Sequence, residues 1–260
     1  PATALLLLVA ALASPGVVVW LASTLCLLWA ASPVWTWLVS RPRTAQGDPD
    51  LTSLQREELH AIARATWGYF ERCVGAPDNH LPPDNLQTTP HDMLAHRTSP
   101  TNIGLYLLSV ACARRFGWID TPQLLARLEA TLATMLRLQR HRGHFLNWYD
   151  TQTCAALAPL YVSTVDSGNL SGHLLAVAQA CLELAATARQ KDAIGATEAG
   201  RLDAMAHELE QLAWAPEFGF LYHDRRHLLH IGYRVQDHVA DANFYDLLAS
   251  ECRLTSLLAI

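Results

Sequence analysis

The sequence predicts an all-α protein in which an apolar helical hairpin precedes helices paired around a ring. Three observations lead there. No charged side chain occurs from Pro1 to Ser40. Beyond that segment, helical apolar periodicity recurs in stretches of roughly 15 to 22 residues. These stretches are joined alternately by short turns and long polar loops, which suits helix pairs better than a compact four-helix bundle. No fixed period repeats along the chain, so a TPR-like array is excluded.

The elements follow in order. A bilayer core needs about 20 apolar residues in a helix, and residues 1–40 suffice for a transmembrane hairpin, with a buried hydrophobic helical hairpin as the alternative. Ser14-Pro15-Gly16 predicts a tight turn between the tail of one span, Ala4 to Ala13, and a second from about Val17 to Val39. Trp35 and Trp37 fall where an interfacial belt belongs, and Arg41 and Arg43 follow at once, which puts the soluble part in the cytoplasm. A signal peptide would need a basic start, which is absent. The start on Pro rather than Met marks the chain as a piece of something longer. Residues 41–52 read as a linker, and the soluble part runs over 53–260.

Thr52-Ser53 with Gln55 and Glu57 is a helix-start signal ahead of apolar Leu59, Ile62, Trp67 and Phe70, giving a helix over about 53–74. Residues 75–99 hold Pro77, Pro82, Pro83 and Pro90 and read as an extended loop of the length that usually carries function. Helices are predicted over Asn102 to Phe116, Pro122 to Arg140, Gly168 to Arg189, Glu198 to Trp214, and Ala240 to the end. Between them, His144 to Tyr149, Phe218 to Tyr222 and His230 to Val235 predict small strands or hairpins beside helix ends.

Composition limits the function. With 51% hydrophobic and 17% charged residues the chain is not disordered, and its formal charge of −5 gives no electrostatic basis for binding nucleic acid. The six cysteines are far apart without a C-x-x-C pair, so they read as reduced thiols rather than a disulfide framework or metal site. No P-loop, dinucleotide fingerprint or G-x-S-x-G is present.

Four loop segments share a chemical character: Leu81 to Gln87, His96 to Asn102, Gly143 to Asp150, and Ser163 to Asn169. Each mixes Asp or Asn with a donor, and the third adds Trp148 and Tyr149. A pyranose presents hydroxyls around its rim and C–H faces above and below, so carboxylates, amides and aromatic rings together suit a sugar. Turn chemistry alone would also account for Pro-Pro-Asp-Asn. In the last segment Asp166 or Ser167 can cap a helix, and Gly168 with Gly172 lets that helix approach a neighbour closely. One cap needs one side chain, so Asp166, Asn169 and His173, a turn further on, are surplus groups for a groove lining. Ser99 or Thr101 can cap the helix at Asn102, and Arg97 beside it can pair Asp84 or Asp92 or bind a substrate hydroxyl. His223, His227 and His230 have the spacing of metal ligands, but the strings around them predict a hairpin, where helical spacing has no meaning. Glu251 near Arg253 reads as a buried ion pair or a groove acid.

The strings LPPDNLQ, AHRTSPTNIGLYLLS, RGHFLNWYDTQT, YVSTVDSGNLSGHLLA, IGYRV and FYDLLASECRLTSLLAI, in this order, resemble the central region of the bacterial cyclic β-1,2-glucan synthases. The likeness covers roughly residues 55 to 260, and the apolar start resembles the last membrane helices of the family's glycosyltransferase part. The resemblance implies a partial (α/α)6 toroid of glucoamylase-like type at the cytoplasmic face of the inner membrane. There the transferase part lengthens the glucan from UDP-glucose with a divalent metal, the central domain closes the ring by transglycosylation, and a phosphorylase-like part trims the product. The implied partners are β-1,2-glucan and the lipid bilayer. The roles carried over are substrate-lining ones, for Asp84, Asn85, Arg97, Asn102, Trp148, Asp150, Asp166 and Asn169. The catalytic carboxylates are expected beyond Ile260, and this fragment alone is expected to be inactive. A membrane-tethered glucan-binding module and a β-1,2-glucan hydrolase are the alternatives.

Overall fold

The computed structural model describes residues 18–41, 51–190, 193–246 and 251–259. The chain divides into a unit ending at Leu59 and a second from His60 to Ile260. In the first, helix α1 (Val18–Val39) is long and apolar enough to cross a bilayer. Trp20, Trp29, Trp35 and Trp37 are exposed along it, and the Arg41 guanidinium lies 3.7 Å from the Trp37 ring centroid. The other predicted span, Ala4 to Ala13, lies outside the described residues. Helix α2 (Ser53–Cys73) opens with the expected capping box, Thr52 N–H donating to Gln55 Oε1 at 3.0 Å and Gln55 N–H to Thr52 Oγ1 at 3.3 Å.

Four helices form most of the second unit with the C-terminal half of α2: α3 (Pro100–Arg115), α4 (Thr121–Met135), α5 (Thr164–Ala188) and α6 (Ala193–Ala213). A short α7 (Arg253–Leu258) follows near the end. Helix α5 packs against α3, α6 and α7, and its Leu174, Val177 and Ala178 are fully buried with Leu107 and Val110 of α3 and Leu202 and Leu209 of α6. Each such Leu or Val contributes about 1.5–3 kcal/mol, so this stack is the rigid base beneath the loops. Helix α5 is apolar and long enough to cross a membrane by composition, but its apolar face is spent inside this stack. Gly168 and Gly172 do what their spacing predicts. A Cβ at Gly168 would collide with Thr255, and one at Gly172 would stand 2.6 Å from Leu254 Cδ2, so α7 rests directly on the α5 backbone.

Strands gather beside the first turns of α3 and α5. They are β1 (Leu86–Gln87), β2 (Met93–Leu94), β3 (Arg97–Thr98), β4 (Arg140–His141), β5 (His144–Phe145), β6 (Asn147–Asp150), β7 (Ala156–Ser163), β8 (Tyr222–His223), β9 (Leu228–Leu229), β10 (Gly232–Arg234) and β11 (Val239–Ala240). Five of them form an antiparallel sheet in the order β11-β10-β7-β6-β3, and the other six form three hairpins.

Four expectations are corrected. The helix predicted to reach Arg140 ends at Met135, where Arg137 and Leu138 make short-range turn bonds and the chain turns into β4. Helix α5 begins at Thr164, four residues before Gly168, because Ser163 Oγ accepts the Asp166 N–H at 3.2 Å and is the cap. The stretch predicted as a helix from Ala240 to the end is helical over Arg253–Leu258, but it begins as β11 and an irregular run over 241–246. That run is held beside β9 and β10, with Ile231 N–H donating to Asn243 O and Tyr245 N–H to Leu229 O. Strand β7 is eight residues long and was not predicted. Pro159 breaks its pattern, yet fits because the β6–β7 register jumps from Asn147↔Tyr161 to Tyr149↔Ala156, leaving residues 157–160 in a bulge where proline removes no ladder bond.

Candidate functional site

The long loop 75–99 is pinned at several points. Thr134 Oγ1 and Thr131 Oγ1 on α4 donate to the carbonyls of Asn79 and His80, at 2.7 and 2.9 Å. Buried Asp78 accepts from Thr151 Oγ1 at 2.5 Å and lies 2.7 Å from His96 Nδ1. Held this way, the loop presents Asp84 to its neighbours. Arg97 Nε and Nη2 donate to Asp84 Oδ2 at 3.1 and 2.9 Å, Asn85 Nδ2 donates to the same oxygen at 3.0 Å, and Asn102 Nδ2 reaches Oδ1 at 3.3 Å. Of the two partners expected for Arg97, the structure selects Asp84. Ser99 caps α3 by accepting the Asn102 N–H at 3.2 Å, which frees the Asn102 amide to face the carboxylate. Tyr69 stands behind the loop, donating to Pro83 O at 3.0 Å, and its hydroxyl is pushed up to about 12 by burial first and then by the charges of Cys73 and Asp84.

The sheet extends this set. Strand β3 pairs Arg97 with Asp150 of β6, and the guanidinium lies 5.1 Å from the Trp148 ring centroid. Next to Trp148, Asn147 Nδ2 donates to Asp166 Oδ2 at 3.0 Å. Asp166 stands in the first turn of α5, where the helix dipole favours a negative charge. With Ser163 as the cap, its carboxylate is free of capping duty. Asn169, one turn on, donates to Thr101 Oγ1 at 3.3 Å and ties α5 to α3.

Asn147, Trp148, Asp166, Ser163 and Tyr161 line an open cleft of about 340 Å³, walled by the bulge residues Leu157, Ala158 and Pro159. Tyr161 donates a short hydrogen bond to Asp241. Burial, and then that bond to Asp241, raise its pKa far above the ordinary phenol value. Gly232, opposite on β10, leaves room for that phenol, since a Cβ there would overlap the Tyr161 hydroxyl. Tyr245 is also raised, chiefly by burial and then by the charges of Cys252, Asp166, Glu251 and Asp241, so several carboxylates surround these two phenols. The Asn147 Oδ1 atom is buried without a partner among the described residues. Such a group costs about 1–3 kcal/mol when nothing meets it.

The structure thus joins Asp84, Asn85, Arg97, Asn102, Trp148 and Asp166 through direct contacts or shared neighbours, with Asn169 at the edge through Thr101. Asp150 is different. Its Oδ1 accepts from Gln152 N–H at 3.0 Å, Thr153 N–H at 2.7 Å and Thr153 Oγ1 at 2.9 Å, so its carboxylate closes its own turn. His173 is not in the cleft: its ring lies against Gly104 at the α3–α5 crossing, and a Cβ there would stand 2.5 Å from Nδ1. Glu251 and Arg253 are both exposed, so the expected pairing of the two is not a buried one. Among the described residues no group of three His, Cys, Asp or Glu side chains can hold a metal. His223, His227 and His230 lie on the β8–β9 hairpin and its flank, with nitrogens facing the Arg226 N–H, the Tyr222 hydroxyl and the Asp241 carbonyl.

Asn147, Tyr161 and Asp241 were missed from the sequence. Asn147 lies inside a string already singled out, but its contact with Asp166 depends on the bulge. Asp241 carried no signal, because it arrives by strand pairing from 80 residues away.

Paired helices with a sheet-and-loop cleft at one end define this unit as a partial glucoamylase-like α/α toroid. Solved structures share that fold at low identity. An endo-β-1,2-glucanase from Talaromyces funiculosus in complex with sophorose matches with a TM-score of 0.57 and 12% identity, covering 80% of this chain and 48% of that one. A β-1,2-glucanase from Parabacteroides distasonis matches at 0.57 and 14%, covering 80% and 27%. An endo-β-1,2-glucanase from Chitinophaga pinensis, in complex with sophorotriose and glucose, matches at 0.53 and 15%, covering 78% and 46%. No protein-family model matches the chain. The particular likeness is to the cyclic β-1,2-glucan synthases: the chain is 34% identical over 371 aligned positions, its whole length, to cyclic β-(1,2)-glucan synthase NdvB of Rhizobium meliloti (strain 1021). It spans 13% of that relative's length.

Proposed function

We propose that this chain is the part of a membrane-bound cyclic β-1,2-glucan synthase that grips the glucan while the ring is closed. The observation that carries this is the connected polar surface running from Asp84 through Arg97 and Trp148 to the Asn147–Asp166 pair. Solved proteins of the same fold are named as β-1,2-glucanases and hold sophorose or sophorotriose, and a curated relative is a cyclic β-(1,2)-glucan synthase. Trp148 offers a ring face for stacking a pyranose, and Asp166 offers acceptor oxygens for hydroxyl groups. Ring closure with retained anomeric configuration needs a nucleophilic carboxylate and an acid/base carboxylate about 5–5.5 Å apart. No such pair is assigned to this chain, whose part is to hold the glucan in place. The apolar α1 would tether the domain to the inner membrane with its soluble part on the cytoplasmic side, where a transferase part using UDP-glucose and a divalent metal would deliver the growing chain.

Calorimetric titration of the chain with linear β-1,2-glucan tests this. Trp148→Ala and Asp166→Ala should each weaken binding roughly tenfold while leaving the circular dichroism spectrum intact. Unchanged affinity in both variants would remove the cleft from the glucan path, and no binding by the unsubstituted chain would overturn the proposal.

A further inference from the structure

Resting on the glucan-binding reading above, we infer that Asp241 is a positioning residue, which stands behind the cleft wall and holds the Tyr161 ring in the orientation a ligand meets. Tyr161 lines the cleft together with Asn147, Trp148 and Asp166, whereas Asp241 is not among the lining residues. The direct link between Asp241 and the cleft is the phenol, whose hydroxyl donates to Asp241 Oδ2.

The ring needs such a hold. Tyr161 comes directly after the bulge at residues 157–160, where β7 has no register partner on β6, and it pairs with Asn147 on one side and Arg234 of β10 on the other. From there the ring leans across β10: a Cβ on Gly232 would stand 2.3 Å from the Tyr161 hydroxyl and 2.4 Å from Cζ. Glycine makes room for the phenol without packing against its edge. Asp241 supplies the missing constraint. Its own backbone is tied to its neighbours twice, its N–H donating to Gly232 O at 2.9 Å and its carbonyl accepting from His230 Nδ1 at 2.5 Å, so the carboxylate is presented from a fixed point. Burial first, and then the bond to Asp241, raise the Tyr161 pKa, so the proton that makes the bond stays on the phenol.

An aromatic wall already in place when a ligand arrives loses no rotamer freedom on binding, whereas a ring free to swing loses it at that moment. For one side chain the difference is roughly fivefold in affinity.

The experiment is a calorimetric titration of linear β-1,2-glucan into the chain and its Asp241→Ala, Asp241→Asn, Tyr161→Phe and Tyr161→Phe/Asp241→Ala variants, with folding checked by circular dichroism. Asp241→Ala and Tyr161→Phe should each lose roughly fivefold in affinity. The double variant should bind no more weakly than Tyr161→Phe alone, because both changes release the same ring. Asp241→Asn keeps an acceptor for the phenol and should bind within about twofold of the unsubstituted chain. If Asp241→Ala costs as much again in the Tyr161→Phe background, Asp241 acts by another route and does not position the ring. If Asp241→Ala binds as well as the unsubstituted chain while Trp148→Ala and Asp166→Ala bind more weakly, the positioning role is wrong and the glucan reading stands. If the unsubstituted chain binds no glucan, both fall. Should Asp241→Ala fail to fold, Tyr161→Phe decides, since it removes only the hydroxyl: unchanged affinity overturns the positioning role.

Discussion

Two neighbouring regions of this molecule are rich in the same polar residue types and use them in opposite ways. In the cleft formed by β6, β7 and the first turn of α5, Asn147 has a buried oxygen with no partner among the described residues and Asp166 is excused from capping. Around His144 on β5, the capacity is spent internally. His144 is fully buried, with Nδ1 2.8 Å from Ser167 Oγ and Nε2 3.0 Å from the carbonyl of Glu217, and it packs edge-on to Phe218 and Phe220. The difference teaches that residue type alone does not mark a binding surface. What sets the cleft apart is a carboxylate, Asp166, left free of capping at an open surface, whereas the unpartnered Nε2 of His141 is buried against the rings of Phe220 and Tyr233.

The comparison is sharpened most by His144→Ala. A carbonyl can only accept, so Nε2 carries the proton donated to Glu217, while Nδ1 faces a Ser167 hydroxyl whose own proton goes to the Ser163 carbonyl at 2.8 Å. Removing the ring opens a cavity beside two phenylalanines and takes the Nε2 donor from the Glu217 carbonyl. A loss of about 3 kcal/mol is expected in urea unfolding, with glucan binding retained in whatever fraction stays folded. A loss under about 0.5 kcal/mol would mean that the region is no more internally satisfied than the cleft.

A smaller effect follows from pH. Burial lowers the pKa of His144, His141 and His173 below the ordinary imidazole value, so all three are neutral when folded. Above the unfolded pKa of about 6.5 both states are neutral and nothing changes. Below it the unfolded chain takes up protons that the folded chain refuses, so stability must fall as pH falls. The urea midpoint should drop between about pH 7 and pH 5.5, and His144→Gln, which keeps a donor for Glu217, should flatten the slope. A midpoint constant over that range would contradict the buried, neutral state.

The sequence made the helices legible because each carries its own apolar period, and it made Gly168 and Gly172 legible because close packing needs them at that spacing. The resemblance brought Asp84, Arg97, Trp148 and Asp166 together before any geometry was known. Strands of two residues have no period to read. Strand β7 hid behind Pro159, whose place in a bulge is a property of its pairing with β6 and not of its own residues. Asn147 and Asp241 stayed invisible for the same reason, since each gains its role from a partner brought in by sheet register. The start of α5 was misplaced because Ser163, Asp166 and Ser167 are all competent caps, and only the backbone path selects among them.

Asp150 gives the finest test, because it sits two residues from Trp148 on β6 and differs from Asp166 only in how its carboxylate is used. Three donors from Gln152 and Thr153 converge on one of its oxygens, and the Thr153 N–H is the chief reason its pKa lies below the ordinary carboxylate value. Gln152 and Thr153 are exposed, so in Asp150→Ala water can take over their donors, and the cost should be only about 0.5–1.5 kcal/mol. A depressed folded pKa means that this stabilisation is present above the unfolded value of about 3.9 and disappears as pH falls through the folded value. Asp150→Ala should therefore lower the urea midpoint at pH 7, shrink its decline below about pH 4, and leave affinity for β-1,2-glucan unaltered. If glucan affinity falls with it as far as in Asp166→Ala, the carboxylate is serving the ligand as well as its own turn, and the boundary drawn between spent and spare groups moves one strand position outward.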